Sequence, residues 1–368
     1  MSEIPNLNIL FTGMPGCNRE PFIELLKGKC EEEGKDISIY HLFDYLIDES
    51  KKQGKPISKK TILDFYDSSP ASMITLRGKA IDTICKKISE NEGIHIISSP
   101  NYFEWRGSNL DGFRYEDLDK LRLDLIIIIT DDLTRIKERL SADDQWKDQK
   151  YSYGSIAKWR RDCIDKIWEY SFSKDPAIKT YLVAVEHDVD VVFDLIFNRE
   201  KQTAYLSYPI TNVPPEIVAE QRKLAKTLSS KFVVFDPLTI KDMQMVYKWK
   251  EIQDKGTPPE TFECEIAYKE GTKKFQCNSH EIELAIKDIR HQIVDRDYKL
   301  IEQSDCVLVY HPREAVSVGV VCEMIHGRSG GQLVYAVYPY EPSPFFEYYA
   351  TRIFKTKEEL LAFLDIKE

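Results

Sequence analysis

A chain of 368 residues is longer than a single hydrophobic core usually supports, so its length predicts two domains. A hydrophobic fraction of 42% and a charged fraction of 30% exclude wholesale disorder, and a net charge of −10 excludes a broad basic surface for nucleic acid. The longest apolar run, residues 125–129, is far shorter than the roughly 20 residues that cross a bilayer, and the first residues lack the pattern of a signal peptide. We therefore expect neither a membrane nor a nucleic-acid partner, and a cytoplasmic location.

Eight cysteines are scattered along the chain without a Cys-x-x-Cys pair. This spread is typical of reduced thiols in a cytoplasmic protein, and no ligand set shows a familiar zinc spacing. We expect no disulfide framework and no metal site.

The first half alternates short apolar runs with helical patterns. Near-continuous apolar runs are what strands buried on both faces of a parallel sheet require. The predicted strands are 7–11, 37–40, 94–97, 123–129 and 179–185, and the main predicted helices are 70–89, 132–140 and 156–172.

The polar stretch 198–202 is the predicted domain boundary, after which the alternation restarts. The predicted strands of the second half are 204–207, 232–235, 306–310 and 333–338, and its helices are 215–229, 239–252, 281–303, 318–327 and 357–364. A polar insertion near 254–278 contains alternating residues at 262–267, which are compatible with a β-hairpin. The pattern predicts an α/β fold class with two domains, 1–197 and 203–368, each a mostly parallel sheet flanked by helices.

A glycine-containing turn follows the first predicted strand. In the run GMPGCNRE, Gly13 and Gly16 allow backbone N–H groups to surround a phosphate at the start of a helix. Compared with G-x-x-x-x-G-K-[ST], Asn18 replaces the second glycine, Arg19 replaces the lysine and Glu20 replaces the hydroxyl residue that binds magnesium. Arg19 can still neutralise a phosphate, whereas Glu20 would repel one.

This layout resembles the adenylate-kinase-like P-loop kinases over most of residues 1–197, which implies a P-loop NTPase-like fold. By that resemblance, Arg77 would bind the acceptor monophosphate, Arg139 would belong to the helix before the lid, and Arg161 would lie in the lid with Arg160. The strand 94–97 ends in two serines where the family usually has a magnesium-holding carboxylate. We expect a degenerate nucleotide-binding or structural domain, with ATP and magnesium as cofactors only if it is active.

The second half carries acidic residues at notable spacings. Asp297 precedes Asp305 by eight residues, Asp305 leads into a strand, and Gly319 precedes Glu323 by four residues at the start of a helix. This pattern resembles the nucleoside 2-deoxyribosyltransferase family and the related 2'-deoxynucleoside 5'-monophosphate N-hydrolases over about residues 203–368. The resemblance implies a flavodoxin- or Rossmann-like fold and cleavage of an N-glycosidic bond without a cofactor.

By the same resemblance, Glu323 is the nucleophile, Asp297 is the proton donor near the base, and Tyr205 orients the sugar or Glu323. Cleavage of this bond passes through an oxocarbenium-like state that a carboxylate can attack or stabilise. We group Asp305 with the substrate-binding residues, and Tyr208 either crowds the sugar or stacks on the base.

Ser317 occupies the position where the transferases tend to carry an acid that holds a free 5'-hydroxyl. A serine tolerates a 5'-phosphate that a carboxylate would repel, and the N–H group of Gly319 at the helix start adds a donor. A nucleotide is therefore the expected small-molecule partner, and a homo-oligomer is expected from the resemblance.

Three functions remain open from the sequence. The first is an enzyme that cleaves the N-glycosidic bond of a nucleoside 5'-monophosphate, or transfers its sugar. The second is a nucleotide kinase that uses Arg19, and the third is a nucleotide sensor without catalytic activity.

Overall fold

The computed structural model describes residues 6–210 and 213–367, which form two compact units. The first unit comprises residues 6–186 and Ile240–Gln292, and the second comprises His187–Thr239 and residues 293–367. None of the helices in these described ranges is both long enough and apolar enough to cross a membrane.

The strands of the described residues are β1 (Leu7–Thr12), β2 (Ile37–His41), β3 (Ile94–Ser98), β4 (Tyr102–Trp105), β5 (Ser108–Asp111), β6 (Leu125–Thr130), β7 (Lys179–Ala184), β8 (Thr203–Ser207), β9 (Val233–Phe235), β10 (Thr261–Tyr268), β11 (Gly271–Asn278), β12 (Cys306–Tyr310), β13 (Leu333–Val337) and β14 (Arg352–Phe354).

The α-helices are α1 (Arg19–Glu32), α2 (Leu42–Lys52), α3 (Ile62–Ser68), α4 (Pro70–Ser89), α5 (Tyr115–Leu121), α6 (Leu133–Ala142), α7 (Tyr153–Phe172), α8 (Val189–Phe197), α9 (Pro215–Leu228), α10 (Asp242–Asp254), α11 (Ser279–Glu302), α12 (Val318–Ser329), α13 (Pro344–Tyr349) and α14 (Lys357–Phe363).

The first unit is built on a five-stranded parallel sheet with the order β2-β3-β1-β6-β7. All six residues of β6 are buried, as expected for a central strand that is covered on both faces. Two antiparallel hairpins, β4–β5 and β10–β11, form separate small sheets.

The β10–β11 hairpin lies in the insertion, where the alternating residues are compatible with one. Along β10, Phe262, Cys264, Ile266 and Tyr268 are buried and the residues between them are exposed. This alternation is typical of a strand that packs one face against a core.

The units differ from the sequence-based boundary, because Ile240–Gln292 belongs with the first unit rather than with a continuous domain 203–368. Buried polar contacts hold this segment there. The carboxylate of Asp242 accepts a hydrogen bond from the N–H of Leu133 at 2.8 Å and pairs with Arg160 at 2.6 Å, and Lys241 pairs with Glu186 at 2.9 Å. Single polar residues of this kind carry no periodic signal in a sequence.

The second unit contains a five-stranded parallel sheet with the order β14-β13-β12-β8-β9. The two faces of β8 have different neighbours. Ala204, Leu206 and Tyr208 belong to a buried apolar cluster with α9 and α14, whereas Tyr205 and Ser207 lie on the opposite face because side chains alternate along a strand. The architecture is therefore α/β with two parallel sheets flanked by helices, as the sequence predicts.

Candidate active site

The order of the second sheet reverses between β8 and β12, since the chain proceeds outward to β9 on one side and to β13 and β14 on the other. In open α/β sheets, ligands bind outside the carboxyl ends of the strands at such a reversal. Tyr205 and Ser207 occupy the carboxyl half of β8, and His311 directly follows β12. The candidate site is built at this edge.

Glu323 lies on α12, on the helix face that packs against the sheet. Val320 and Met324 are buried beside it, and Gly327, one turn later, allows close approach because an added Cβ would meet Val307 Cγ2 at 2.7 Å. The half-buried carboxyl group of Glu323 is held by two hydroxyl groups from one strand. Oε1 accepts a hydrogen bond from Tyr205 Oη at 3.0 Å, and Oε2 accepts one from Ser207 Oγ.

The surroundings of Glu323 favour its protonated form. Burial and the negative charge of Asp297 raise the pKa of Glu323 from its ordinary value of 4.5 to about 8, although the hydrogen bonds from Ser207 and Tyr205 lower it. The pKa shift also indicates that Asp297 is an electrostatic neighbour of Glu323. The two acids that the sequence singles out therefore belong to one cluster.

Asp297 is 7% exposed on α11 and is paired with the preceding residue. Its Oδ1 accepts hydrogen bonds from Arg296 Nε at 3.0 Å and from Arg296 Nη2 at 2.7 Å. Burial raises the pKa of Asp297, the charge of Asp236 raises it further, and Arg296 lowers it. Arg296 therefore offsets part of the cost of burying this carboxylate.

Tyr205 is fully buried, and its hydroxyl group donates to Glu323 as described above. Burial, followed by the charges of Asp297 and Glu323, raises the pKa of Tyr205 well above its ordinary value. The phenol therefore remains a neutral hydrogen-bond donor at physiological pH, which suits the orienting role that the resemblance implies.

Tyr208 does not project freely into the site. It is 3% exposed, and its hydroxyl group donates to Asp236 Oδ1, which also accepts from the N–H of Leu238 at 2.8 Å. Asp236 is half-buried directly after β9, and burial raises its pKa. Tyr208 thus packs into the sheet and positions a third carboxyl group at the same edge.

Ser317 is the residue before α12, and its N–H donates to His311 Nε2 at 3.0 Å. His311 is fully buried, and burial lowers its pKa, so the ring is neutral and can accept this hydrogen bond. Gly319 is exposed, and an added Cβ would lie 3.8 Å from Ser317 Oγ. The start of α12 is therefore open to solvent beside Ser317.

Asp305 is placed at the opposite edge of the sheet from Glu323. Its Oδ2 accepts hydrogen bonds from Thr203 N at 2.8 Å and from Thr203 Oγ1 at 2.9 Å, at the amino ends of β8 and β12. The predicted grouping of Asp305 with the substrate-binding residues does not match this position. The residue ties two strand starts together, because a residue that leads into a parallel strand lies at the edge away from the ligand.

In the first unit, the predicted phosphate loop packs against its own sheet. Gly13 has φ +140° and an added Cβ would lie 2.2 Å from the carbonyl oxygen of Ile129. Gly16 has φ +81°, and its carbonyl oxygen accepts a hydrogen bond from Arg139 at 2.9 Å. Asn18, before α1, has a left-handed φ of 64°. The glycine and asparagine positions are thus explained by the turn itself.

Arg19 is only 7% exposed and donates to Ser98 Oγ at 3.0 Å at the end of β3. Burial lowers the pKa of Arg19. Its side chain therefore binds within the protein at the position where a kinase lysine would face a phosphate.

The other arginines that the resemblance assigns to nucleotide binding are mostly paired internally. Arg77 is 2% exposed and pairs with Asp117 at 2.7 Å, and Arg139 pairs with the buried Asp131 at 2.6 Å. Arg161 is half-buried on α7. Arg77 and Arg139 therefore stabilise buried carboxylates in this structure, which accounts for them without a phosphate.

Three residues of the second unit's cluster were not identified from the sequence: Ser207, Asp236 and Arg296. Ser207 shares a strand face with Tyr205 at a spacing of two, so alternation could have identified it. Asp236 directly follows a strand at the carboxyl edge, which is a second available signal. For Arg296, the sequence offers no signal beyond its position next to Asp297.

In the part of the chain that the structure describes, no three His, Cys, Asp or Glu side chains are arranged to bind a metal ion. No protein-family model matches the chain, and a comparison with curated proteins finds no significant match.

Proposed function

We propose that the second unit cleaves the N-glycosidic bond of a nucleoside 5'-monophosphate, or transfers its sugar, with Glu323 as the nucleophile. The observation that carries this proposal is the pair of hydroxyl groups, from Tyr205 and Ser207, that hold both oxygens of Glu323 beside the buried Asp297. The resemblance to nucleoside 2-deoxyribosyltransferases and monophosphate N-hydrolases agrees with this arrangement, as does the sheet order, which is that of flavodoxin-like folds.

The chemistry requires one carboxylate and one proton. An oxygen of ionised Glu323 forms a bond to the anomeric carbon while the bond to the base breaks, and the bonding electrons leave with the base. The base departs more readily when it receives a proton, which the Glu323–Asp297 pair supplies because neighbouring carboxyl groups do not ionise together. Water or a second base then releases the sugar from Glu323.

The start of α12 supports a phosphate-bearing substrate. Ser317 brings a neutral hydroxyl group to the first turn of the helix, next to the exposed Gly319. The N–H groups of a helix start favour an anion, and α12 is twelve residues long. We infer that a 5'-phosphate binds there and brings the sugar toward Glu323.

We do not assign phosphoryl transfer to the first unit. Arg19, Arg77 and Arg139 are bound within the protein, and Glu20 takes the place of the magnesium-binding hydroxyl residue. Transfer of a phosphoryl group depends on such charges facing the nucleotide. A structural or nucleotide-binding role without turnover fits this unit better.

The proposal is tested by incubating the protein with a panel of nucleoside monophosphates, with and without ATP and magnesium, and separating the products by chromatography. Free base supports the proposal, a diphosphate supports a kinase, and an unchanged nucleotide that nevertheless binds supports a sensor. Glu323→Gln should reduce base release by about three orders of magnitude or more. The variant should remain folded, since the amide keeps the shape of the side chain.

Glu341→Gln is the matched control, because Glu341 is an exposed glutamate of the same unit. It should retain the wild-type rate. Base release by Glu323→Gln at the wild-type rate would refute the assignment of the nucleophile.

A further inference from the structure

Among the hydrogen bonds of Arg296, three fix its side chain at the candidate site. Two of them reach Asp297 Oδ1, from Nε at 3.0 Å and from Nη2 at 2.7 Å, and the third goes from Nη2 to the carbonyl oxygen of Pro237 at 3.1 Å. The side chains of Arg296 and Asp297 are 11% and 10% exposed. A two-donor contact of a guanidinium at this depth is typical of an ionised carboxylate.

The two acids of the pair have different partners. Asp297 is held by a cation, whereas Glu323 is held by the neutral hydroxyl groups of Tyr205 and Ser207. The charged and titratable groups around the pair come from several elements: Arg296 and Tyr298 from α11, Asp236 from the end of β9, Tyr205 from β8 and Tyr208 from the end of β8. Arg222 from α9 acts on Tyr208 and Asp236. Arg296 is a cation in direct contact with Asp297.

We propose that Arg296 is a positioning residue, which holds the negative charge of the pair on Asp297 and leaves the proton of the pair on Glu323 before a substrate binds. This role rests on the proposed function. In the ligand-free site, Asp297 is then ionised and Glu323 is protonated. Glu323 gives up this proton before its oxygen bonds to the anomeric carbon, and the departing base takes up the same proton together with the bonding electrons.

The order of ionisation is measured directly by carbon-13 NMR of the side-chain carboxyl groups in the full-length protein, with Asp297→Asn and Glu323→Gln for assignment. Asp297 should titrate at a lower pH than Glu323. The reverse order in the wild-type protein would overturn the inference, and this measurement requires neither a substrate nor a folded Arg296 variant.

Arg296→Met removes the cation and keeps the aliphatic stem, while Arg296→Lys keeps a positive charge. In Arg296→Met, the Asp297 titration and the acid limb of kcat/KM should move upward by about one to three pH units, the usual effect of losing an opposite charge at this distance. Arg296→Lys should restore most of the shift. A loss of activity at every pH with unmoved limbs would mean that Arg296 is only structural.

The same substitution in an Asp297→Asn background isolates the partner through which Arg296 acts. Arg296→Met should then leave the acid limb of kcat/KM nearly unchanged, because the carboxylate of Asp297 on which Arg296 acts is absent. An Asp297 titration that is unchanged in Arg296→Met overturns the role of Arg296 even if base is released. A shifted titration in a protein that releases no base from any nucleotide overturns the proposed function instead.

Discussion

Glu323→Gln should change how the free energy of unfolding depends on pH: the wild type should lose stability relative to this variant as the pH rises toward 8. Burial and Asp297 raise the pKa of Glu323 from 4.5 to about 8 in the folded protein, whereas an unfolded glutamate keeps the ordinary value. Below the unfolded pKa both states are protonated. As the pH rises toward 8, only the unfolded state loses its proton, so the folded state becomes relatively less stable.

The magnitude follows from linkage. One proton more in the folded state lowers the free energy of unfolding by about 1.4 kcal/mol per pH unit across this window. Between about pH 5.5 and about pH 7.5 the wild type should therefore lose roughly 3 kcal/mol relative to Glu323→Gln, which has no proton to lose. Water reaches part of the side chain, so this value is an upper one.

The measurement must report on the second unit. All five tryptophans lie in the segments of the first unit, at Trp105, Trp146, Trp159, Trp168 and Trp249. Their fluorescence therefore reports unfolding of the first unit and not of the second. Hydrogen–deuterium exchange of β8 and β12 in graded urea, corrected for the intrinsic pH dependence of exchange, reports the second sheet. Glu341→Gln should follow the wild type, and a wild type that runs parallel to Glu323→Gln over this range would refute the buried, proton-holding state of Glu323.

Two further predictions concern the glycine turn and the start of α12. Gly13→Ala should destabilise the first unit by roughly 3 kcal/mol, because its Cβ would meet the carbonyl oxygen of Ile129, whereas Gly34→Ala, at φ +62° in open space, should cost about 1 kcal/mol. Urea unfolding followed by tryptophan fluorescence measures both losses, and equal losses would contradict the close packing of the turn. Ser317→Asp should weaken binding of a nucleoside 5'-monophosphate more than binding of the bare nucleoside in calorimetric titrations, because the new carboxylate repels a phosphate. An equal effect on both ligands would refute the proposal that the phosphate binds at the start of α12.

Strands such as β6 and β12 were predictable because apolar runs that are buried on both faces leave a continuous signal, and all residues of these two strands are buried. The β4–β5 hairpin left none, since each strand has four residues and mixed burial. Helices α2, α3, α5, α8 and α13 and strand β14 are also absent from the sequence-based elements. Short elements of this kind are determined by their tertiary neighbours more than by local pattern.

The candidate site could be proposed from the sequence where it depends on spacing. Glu323, Asp297 and Tyr205 follow from a resemblance in the order of residues, and the structure brings them into one cluster. Arg296 could not be found in that way, because its proposed role comes from a side chain that folds back on its neighbour. Asp305 shows the converse, since its spacing matches the pattern although its carboxylate lies at the other edge of the sheet.

The interleaving of the two units has a consequence for synthesis. The first unit needs residues up to Gln292, and the second needs β12, β13 and β14, which follow that point. When the ribosome has released β8 and β9, neither the remaining strands of their sheet nor the missing segment of the first unit has emerged. The edges of these two apolar strands therefore stay unpaired until the later strands are synthesised, and unpaired strand edges are prone to aggregation. Truncation after Thr239 would leave both units unfinished, so fragments of this protein should be cut by structural unit rather than by position in the chain.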